Sequence, residues 1–407
     1  MNDRWIYLDN AATTPLDPRV LDAMLPWLRE SFGNASSHHH PYGWEAEEAI
    51  EKARGQLARI LSVNTREIVF TSGATESNNL ALKGVFRRYR SKGNHIVTTA
   101  IEHKAILDVC AALEHEGAET TLLPVDDRGF VDPAAVRGAI RDTTVLVSVM
   151  HANNEIGTLQ DLAAIGRICK ERGVLFHTDA AQSIGKVPFD AQAFGVDLVS
   201  VSAHKIYGPK GAGALYVRRR NPRVVLEPIV HGGGQEGGIR SGTANVPGIV
   251  GLGEAAEIAR KEMAGESARL RALRDRLRER IVSGLEDVRV NGDLERRLPG
   301  NLNVSFAHVE GESLLMGLQG IALSSGSACT SASLEPSHVL KAIGVSEELA
   351  HSALRFSLGR FNTEAEIDIA AERVVATVKR LRSLSPLYEM IREQRAAGSS
   401  SSRGGPA

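Results

Sequence analysis

Lys205 lies in Ser200-Val-Ser-Ala-His-Lys205-Ile-Tyr-Gly-Pro-Lys-Gly211, at the end of a β-branched run and ahead of a glycine-rich loop. A lysine at a strand end, flanked by histidine and small hydroxyl residues, suits a Schiff-base role if its amine is desolvated enough to be nucleophilic. The competing reading is a surface loop lysine, and the neighbours weigh against it. Asp179, in His177-Thr-Asp179-Ala-Ala-Gln182-Ser, follows another such run. Its carboxylate can pair with a protonated pyridine nitrogen and keep the ring an electron sink; a helix cap is an equal reading. Thr71-Ser-Gly-Ala-Thr75-Glu-Ser-Asn78 follows a strand and opens a helix. Free N–H groups there make an anion site suited to phosphate, and an ordinary N-cap by Ser72 or Thr75 is the alternative. His103 follows a third strand, placed to stack on an aromatic ring and move protons, or to be a satisfied surface histidine.

Cys329 stands in Leu323-Ser-Ser-Gly-Ser-Ala-Cys329-Thr-Ser-Ala-Ser333. Small, polar, flexible neighbours suit a thiol that attacks a group and carries it away, although a plain turn has similar composition. Cys110 and Cys169 lie in amphipathic helical stretches and read as packing residues. Arg355, inside the strand-like Ala353-Leu-Arg-Phe-Ser-Leu-Gly359, needs a partner if buried: a substrate carboxylate or a protein one. His38-His39-His40 raises a metal reading, but the following Pro41 and Gly43 make it a loop before a helix, and three adjacent histidines do not share a face in regular structure.

The elements that must position these groups alternate. Strands are expected at Ile68–Thr71, His95–Thr99, Thr144–Val149, Val174–His177, Leu198–Ser202 and Gly213–Val217, with helices at Trp44–Leu61, Thr75–Arg90 and Leu162–Arg172 between them. Such alternation predicts an α/β fold on a mostly parallel sheet, whose strand ends share one edge. Lys205, Asp179, Thr75 and His103 each lie at or just past a strand end, so together they argue far more than any one does. A long helix, Pro247–Leu285, leads to a smaller α+β set: strands Asn301–Phe306 and Leu354–Leu358, helices Glu312–Leu318, Pro336–Ile343 and Thr363–Leu381. The expected domains are 15–262, a large cofactor-binding unit, and 1–14 with 263–393, a small unit carrying the cysteine loop. The Gly/Ser-rich tail 394–407 is expected to be disordered.

Composition bounds the rest. The 407 residues are 43% hydrophobic and 24% charged, with net charge -1. That is ordinary for a globular chain of more than one domain, with no basic excess for nucleic acid. No apolar run is long enough to cross a membrane. Met1–Pro15 has no signal or presequence pattern, and the cytoplasm is the expected location. Three cysteines without a CxxC pair exclude a disulfide scaffold or a structural zinc site.

From Tyr7-Leu-Asp-Asn-Ala-Ala-Thr-Thr14 to Leu387-Tyr-Glu-Met390 the chain resembles the cysteine desulfurases, specifically the housekeeping branch that supplies sulfur for iron–sulfur clusters. Phe32-Gly-Asn-Ala-Ser-Ser37, Thr71-Ser-Gly-Ala-Thr-Glu-Ser77, Met150-His-Ala-Asn-Asn-Glu-Ile-Gly157, His204–Gly211, Arg240-Ser-Gly-Thr243 and Ser324–Pro336 carry the resemblance. It implies a class V aminotransferase-like, fold type I pyridoxal-phosphate enzyme working as a homodimer. It implies that Lys205 binds the cofactor covalently, His103 stacks on the ring, Asp179 pairs with the ring nitrogen and Gln182 meets the ring hydroxyl. Thr75, Ser202 and His204 would hold the phosphate with Thr243 of the other subunit, and Ala74 and Asn154 would lie beside the cofactor. Arg355, Asn34 and Asn154 would bind the carboxylate of L-cysteine, and Cys329 would take its sulfur as a persulfide. No intrinsic metal is implied, although Cys329 could transiently ligate an iron–sulfur cluster. Sulfur would pass to a cluster scaffold protein and other acceptors. The chain departs from the branch in its tail, Ala396-Ala-Gly-Ser onward, where the branch commonly docks that scaffold. A selenocysteine lyase or an aminotransferase on the same fold is the second enzyme reading, and a sulfur carrier without catalysis is the third. A transaminase needs no mobile cysteine, and a carrier needs none of Lys205, Asp179 and His103.

Overall fold

The structure, a computed structural model, describes residues 5–325, 336–386, 388–390 and 394. The chain begins β1 (Ile6–Tyr7), α1 (Pro18–Arg29), α2 (Pro41–Leu61), β2 (Ile68–Thr71), α3 (Ala74–Tyr89), β3 (His95–Thr99), α4 (Lys104–Glu114) and β4 (Glu119–Leu123). It continues α5 (Pro133–Ala139), β5 (Thr144–Ser148), α6 (Leu162–Arg172), β6 (Leu175–Asp179), β7 (Leu198–Ser202) and β8 (Gly213–Val217). After α7 (Val246–Gly284) come β9 (Val288–Asn291), β10 (Asn301–Phe306), α8 (Gly311–Gly317), β11 (Ile321–Ala322) and β12 (Ser324–Ser325). The last elements are α9 (His338–Ala342), α10 (Glu347–His351), β13 (Ala353–Ser357) and α11 (Glu364–Ser383).

Seven strands form the main sheet in the order β2-β8-β7-β6-β5-β3-β4. Strands β3 to β7 pair in parallel, and β8 runs antiparallel to both neighbours, β2 and β7. Six of the seven therefore point the same way, and their carboxyl ends meet on one edge. Side chains alternate between two cores, as the two-residue period of a strand requires. Val199 and Val201 join the cluster packed under α2, α6 and the first half of α7, while Leu198 joins the one under α3 and α4. Both faces are buried, the condition for a parallel sheet.

A four-stranded antiparallel sheet, β12-β13-β10-β9, builds the second unit, with α11 packed on its core. Helix α7 serves both units. Val246 to Ala259 pack in the large core, and Leu270, Leu273, Leu277 and Ile281 pack in the small one. The change of core falls around Met263. At about 1.5 Å per residue, a helix of 39 residues is roughly 58 Å long, enough to span both. Strand β1 pairs with β11, and the chain then crosses to the large unit, where Thr14 N–H donates to His204 O at 2.9 Å.

Helix α2 starts at Pro41, earlier than its apolar stripe suggests. His40 caps it, Nδ1 accepting from Gly43 N–H at 3.4 Å, and Pro41 fits the first turn, where its missing N–H costs nothing. The histidine run thus has a structural task as the entry to this helix.

Candidate active site

A cavity of about 570 Å³ opens at the carboxyl edge of the main sheet. Ala74, Thr75, His103, Asn154, Asp179, Gln182, Ser202, His204, Lys205 and Arg355 all line it. The edge collects them because β2, β3, β5, β6 and β7 each end there. One residue expected at this wall lies elsewhere. Asn34 is exposed and outside the wall, its Oδ1 accepting from Ser36 N–H at 2.9 Å. Thr243, expected to serve the other subunit's site, is exposed and outside the wall of this one. Cys329 lies outside the described residues.

Lys205 closes a single 3₁₀ turn, Ala203–Lys205, directly after β7. Its Nζ donates to Ala11 O at 2.6 Å and Ala12 O at 2.7 Å. Gln182 Nε2 donates to the same Ala11 carbonyl at 2.8 Å. These carbonyls come from the segment that crosses between the units, so the placement of Lys205 depends on that crossing. Nothing in the local sequence around Lys205 signals it.

Asp179 is the last residue of β6 and is buried. Its Oδ2 accepts from Asn78 Nδ2 at 2.7 Å and its Oδ1 from Ala181 N–H at 2.9 Å. It therefore supports the following turn, as a cap would, and still presents a carboxylate to the cavity. His103 caps α4: Nδ1 accepts from Ala105 N–H at 3.1 Å, so a neutral ring carries its proton on Nε2. Burial first, then the charges of Lys205 and Lys210, push His204 down to about 4, so it is neutral near pH 7.

The loop before α3 is built from backbone. The N-cap is Gly73, and no side chain among the described residues caps the helix, so the ordinary capping by Ser72 or Thr75 is not what is found. Gly73 sits at φ 154°, which favours glycine, and a Cβ there would stand 3.7 Å from Ser202 Oγ, inside the space the loop encloses. Gly213 lets β8 start against this loop, since a Cβ there would fall 2.4 Å from Gly73 Cα. Glu76 reaches back to accept from Ser72 N–H at 2.7 Å and binds Arg240 Nε at 2.8 Å. That bond ties the Arg240-Ser-Gly-Thr243 segment to the first turn of α3.

Arg355 is 1% exposed and its partners are resolved. Nη2 donates to Asp9 Oδ1 at 2.8 Å and Ser324 Oγ at 3.3 Å, and Nη1 to Asn154 O at 3.0 Å. A protein carboxylate thus takes one side of the fork, while Nε has no partner among the described residues.

Glu102 is a group the sequence reading left without a role. Its Oε1 accepts from Thr99 Oγ1 at 2.9 Å and Met150 N–H at 2.8 Å, joining the ends of β3 and β5. Complete burial pushes its carboxyl up from 4.5 to about 8. The folded chain then holds a proton that the unfolded chain releases, so this group's contribution to stability falls as pH rises from 4.5 toward 8. Glu102→Gln keeps the shape without the ionisation. Its stability relative to wild type is expected to rise between pH 5 and 8 by up to about 1.4 kcal/mol per pH unit. Urea unfolding at several pH values measures this, and a constant difference would contradict it. Cys110 and Cys169 are buried, and burial pushes the Cys110 thiol up to about 12, as packing residues require.

Pyridoxal phosphate asks four things of a protein: an amine for its aldehyde, a carboxylate for its ring nitrogen, donors for its phosphate and room for the ring. The cavity supplies Lys205, Asp179, the uncapped start of α3 with Ser202, and its volume. Two buried orphan atoms in the wall, Asn78 Oδ1 and Arg355 Nε, have capacity for a bound molecule. The residues fit the group, and the arrangement is that of a fold type I pyridoxal-phosphate enzyme. The aminotransferase class-V family model matches residues 6–369, and the chain belongs to that family.

It is 59% identical over 388 residues to the cysteine desulfurase IscS of Anaeromyxobacter dehalogenans (strain 2CP-C), covering 95% of this chain and 96% of that one. It is 57% identical over 390 residues to the cysteine desulfurase of Homo sapiens, covering 96% and 85%. Among solved structures, a NifS-like protein aligns with TM-score 0.86 at 40% identity, over 93% of this chain and all of that one. A structure described as SspA in complex with cysteine aligns with TM-score 0.78 at 39% identity, over 88% of this chain and 100% of that one.

Proposed function

We propose that this chain is a pyridoxal-phosphate-dependent cysteine desulfurase that moves sulfur from L-cysteine to Cys329 and releases L-alanine. The observation that carries the reading is the convergence of Lys205, Asp179, His103 and Arg355 on one cavity at the carboxyl edge of the sheet. Relatives named cysteine desulfurase, 57–59% identical over nearly the whole chain, support the choice of substrate.

The bound cofactor supplies an electron sink conjugated to the substrate Cα. Asp179 would keep the ring nitrogen protonated, and Gln182, tied to Ala11 O, would meet the ring hydroxyl. Arg355 and Asn154 hold the substrate carboxylate. Lys205, returned to a free amine, takes the proton from Cα, with Ala11 O and Ala12 O orienting it. The Cys329 thiolate then attacks the substrate sulfur. The S–S bond forms, the C–S bond breaks, and its electron pair stays with the substrate carbon, which is protonated toward alanine. Cysteine and a thiol thus become alanine and a persulfide with no outside oxidant. His103, with its proton on Nε2, serves proton transfer near the sulfur.

The enzyme works as a homodimer in the cytoplasm, with Thr243 completing the other subunit's phosphate site. The persulfide passes to sulfur acceptors, among them an iron–sulfur cluster scaffold. Among the described residues no helix is long and apolar enough to cross a membrane.

The test is to incubate holoenzyme with cysteine, quantify alanine, and locate the added sulfur by peptide mass. One sulfur on Cys329 per first-turnover alanine is expected. A Cys329→Ala chain that releases sulfide as fast as wild type would refute the persulfide step. A wild-type chain that forms no alanine would refute the desulfurase reading.

A further inference from the structure

Lys186 lies four residues after Gln182, in the turn that follows β6. Its Nζ donates to Gln182 Oε1 at 3.2 Å. Gln182 in turn donates to Ala11 O, the carbonyl that also accepts from Lys205 Nζ. Two lysines are therefore joined through one carboxamide and one carbonyl. The backbone of Lys186 is fixed as well, since its carbonyl accepts from Ser267 Oγ of α7 at 2.6 Å. It shares a narrow recess behind the cavity with Asn10, Tyr207 and Glu266.

The charges around this ammonium are unbalanced. The charges of Lys205 on the turn after β7, Arg355 on β13 and Glu266 on α7 act on it, and its charge also acts on His204. Tyr207 borders the recess. Glu266 is already committed to Arg360, which donates to it from Nε at 2.8 Å. Lys186 itself makes no ion pair among the described residues, and its one side-chain hydrogen bond is to a neutral amide. Burial first, and the charge of Lys205 next, lower it from 10.5 to about 7.

We propose that Lys186 is a positioning residue of the cofactor site: it orients the Gln182 carboxamide, and its charge disfavours a second cation at the Lys205 nitrogen. The inference rests on the reading of this cavity as the pyridoxal-phosphate site. The two ammonium groups are linked through one carboxamide and one carbonyl, and like charges so placed disfavour each other. The consequence for chemistry is that Lys205 spends more of its time as the neutral amine that attacks a carbonyl or takes a proton.

The experiment is a pH titration of the visible absorbance of the bound cofactor in purified holoenzyme without cysteine. Lys186→Arg supplies a permanent cation, and Lys186→Met and Lys186→Gln remove the charge. The midpoint is expected to be lower in Lys186→Arg than in the neutral variants by about one pH unit. Wild type should fall between them with a broadened curve, because Lys186 itself titrates in that range. Equal midpoints in the arginine and neutral variants would overturn the proposal. So would loss of cofactor from both neutral variants, since that is a structural role only. A wild-type chain that takes up no pyridoxal phosphate would be a different failure, that of the cofactor reading itself.

Discussion

Lys205→Ala is expected to lower alanine formation by at least about 10⁴-fold, because one amine serves as both cofactor attachment and general base. The side chain is half-buried at the cavity wall and belongs to none of the apolar cores, so the fold should survive its removal. What is lost is an amine whose position is set by Ala11 O and Ala12 O. Lys205→Arg retains a cation and contacts to those carbonyls but cannot form a Schiff base. It should be as inactive as the alanine variant, which separates nucleophile from charge. Three measurements check this: alanine release, the visible band after reconstitution, and urea unfolding of the apoprotein. Residual activity above about 1% of wild type in either variant would remove Lys205 from the chemistry.

Strands with two buried faces were the easiest part of this fold to read. Leu198–Ser202 and Gly213–Val217 are continuous buried runs, and the structure places β7 and β8 on those residues. Edge and tertiary strands were not legible. In β4 only Leu123 is buried while Leu122 is 53% exposed, so its pattern resembles a loop. Strands β1, β11 and β12 have two residues each and exist only through partners hundreds of positions away or packed by tertiary contacts. One end was misread with a functional consequence. From the sequence, the strand at Val174 ends at His177. Pairing with β7 extends it to Asp179, opposite Ser200. The carboxylate is thus fixed by the sheet itself rather than by a loop beyond it.

The site divides in the same way. Lys205, Asp179, Thr75 and His103 were legible because strand ends in an open α/β sheet share an edge. Asp9, Ala11 and Ala12 were not, because their contacts with Arg355, Gln182 and Lys205 span 171 to 346 residues. Their motif was visible as part of the family pattern, but no local rule gives a backbone carbonyl a task. Lys186 was hidden for another reason. Four residues after Gln182 it resembles any surface lysine until the fold half-buries it against the Gln182 carboxamide.

Arg355→Lys is expected to raise the KM for cysteine about 100-fold while kcat changes much less. An arginine in a strand leaves two partners open, a protein carboxylate or a substrate one; the structure shows the first, Asp9, and the second is the proposed one. Asp9 and Asn154 O engage Nη2 and Nη1, which fixes the guanidinium plane, and Nε, beside the cavity, has no partner among the described residues. A substrate carboxylate arriving there completes a charge-assisted bond that a lysine, a point charge without a fork, cannot reproduce while also satisfying Asp9. Such a bond is worth about 1.5–3 kcal/mol, and its upper end corresponds to the expected change. The lysine variant is chosen because Arg355→Ala would also strand Asp9 and confuse unfolding with weak binding. Steady-state alanine formation across cysteine concentrations gives both constants. A fall in kcat at unchanged KM would mean that Arg355 only buttresses Asp9 and the crossing segment, and that the carboxylate is bound elsewhere.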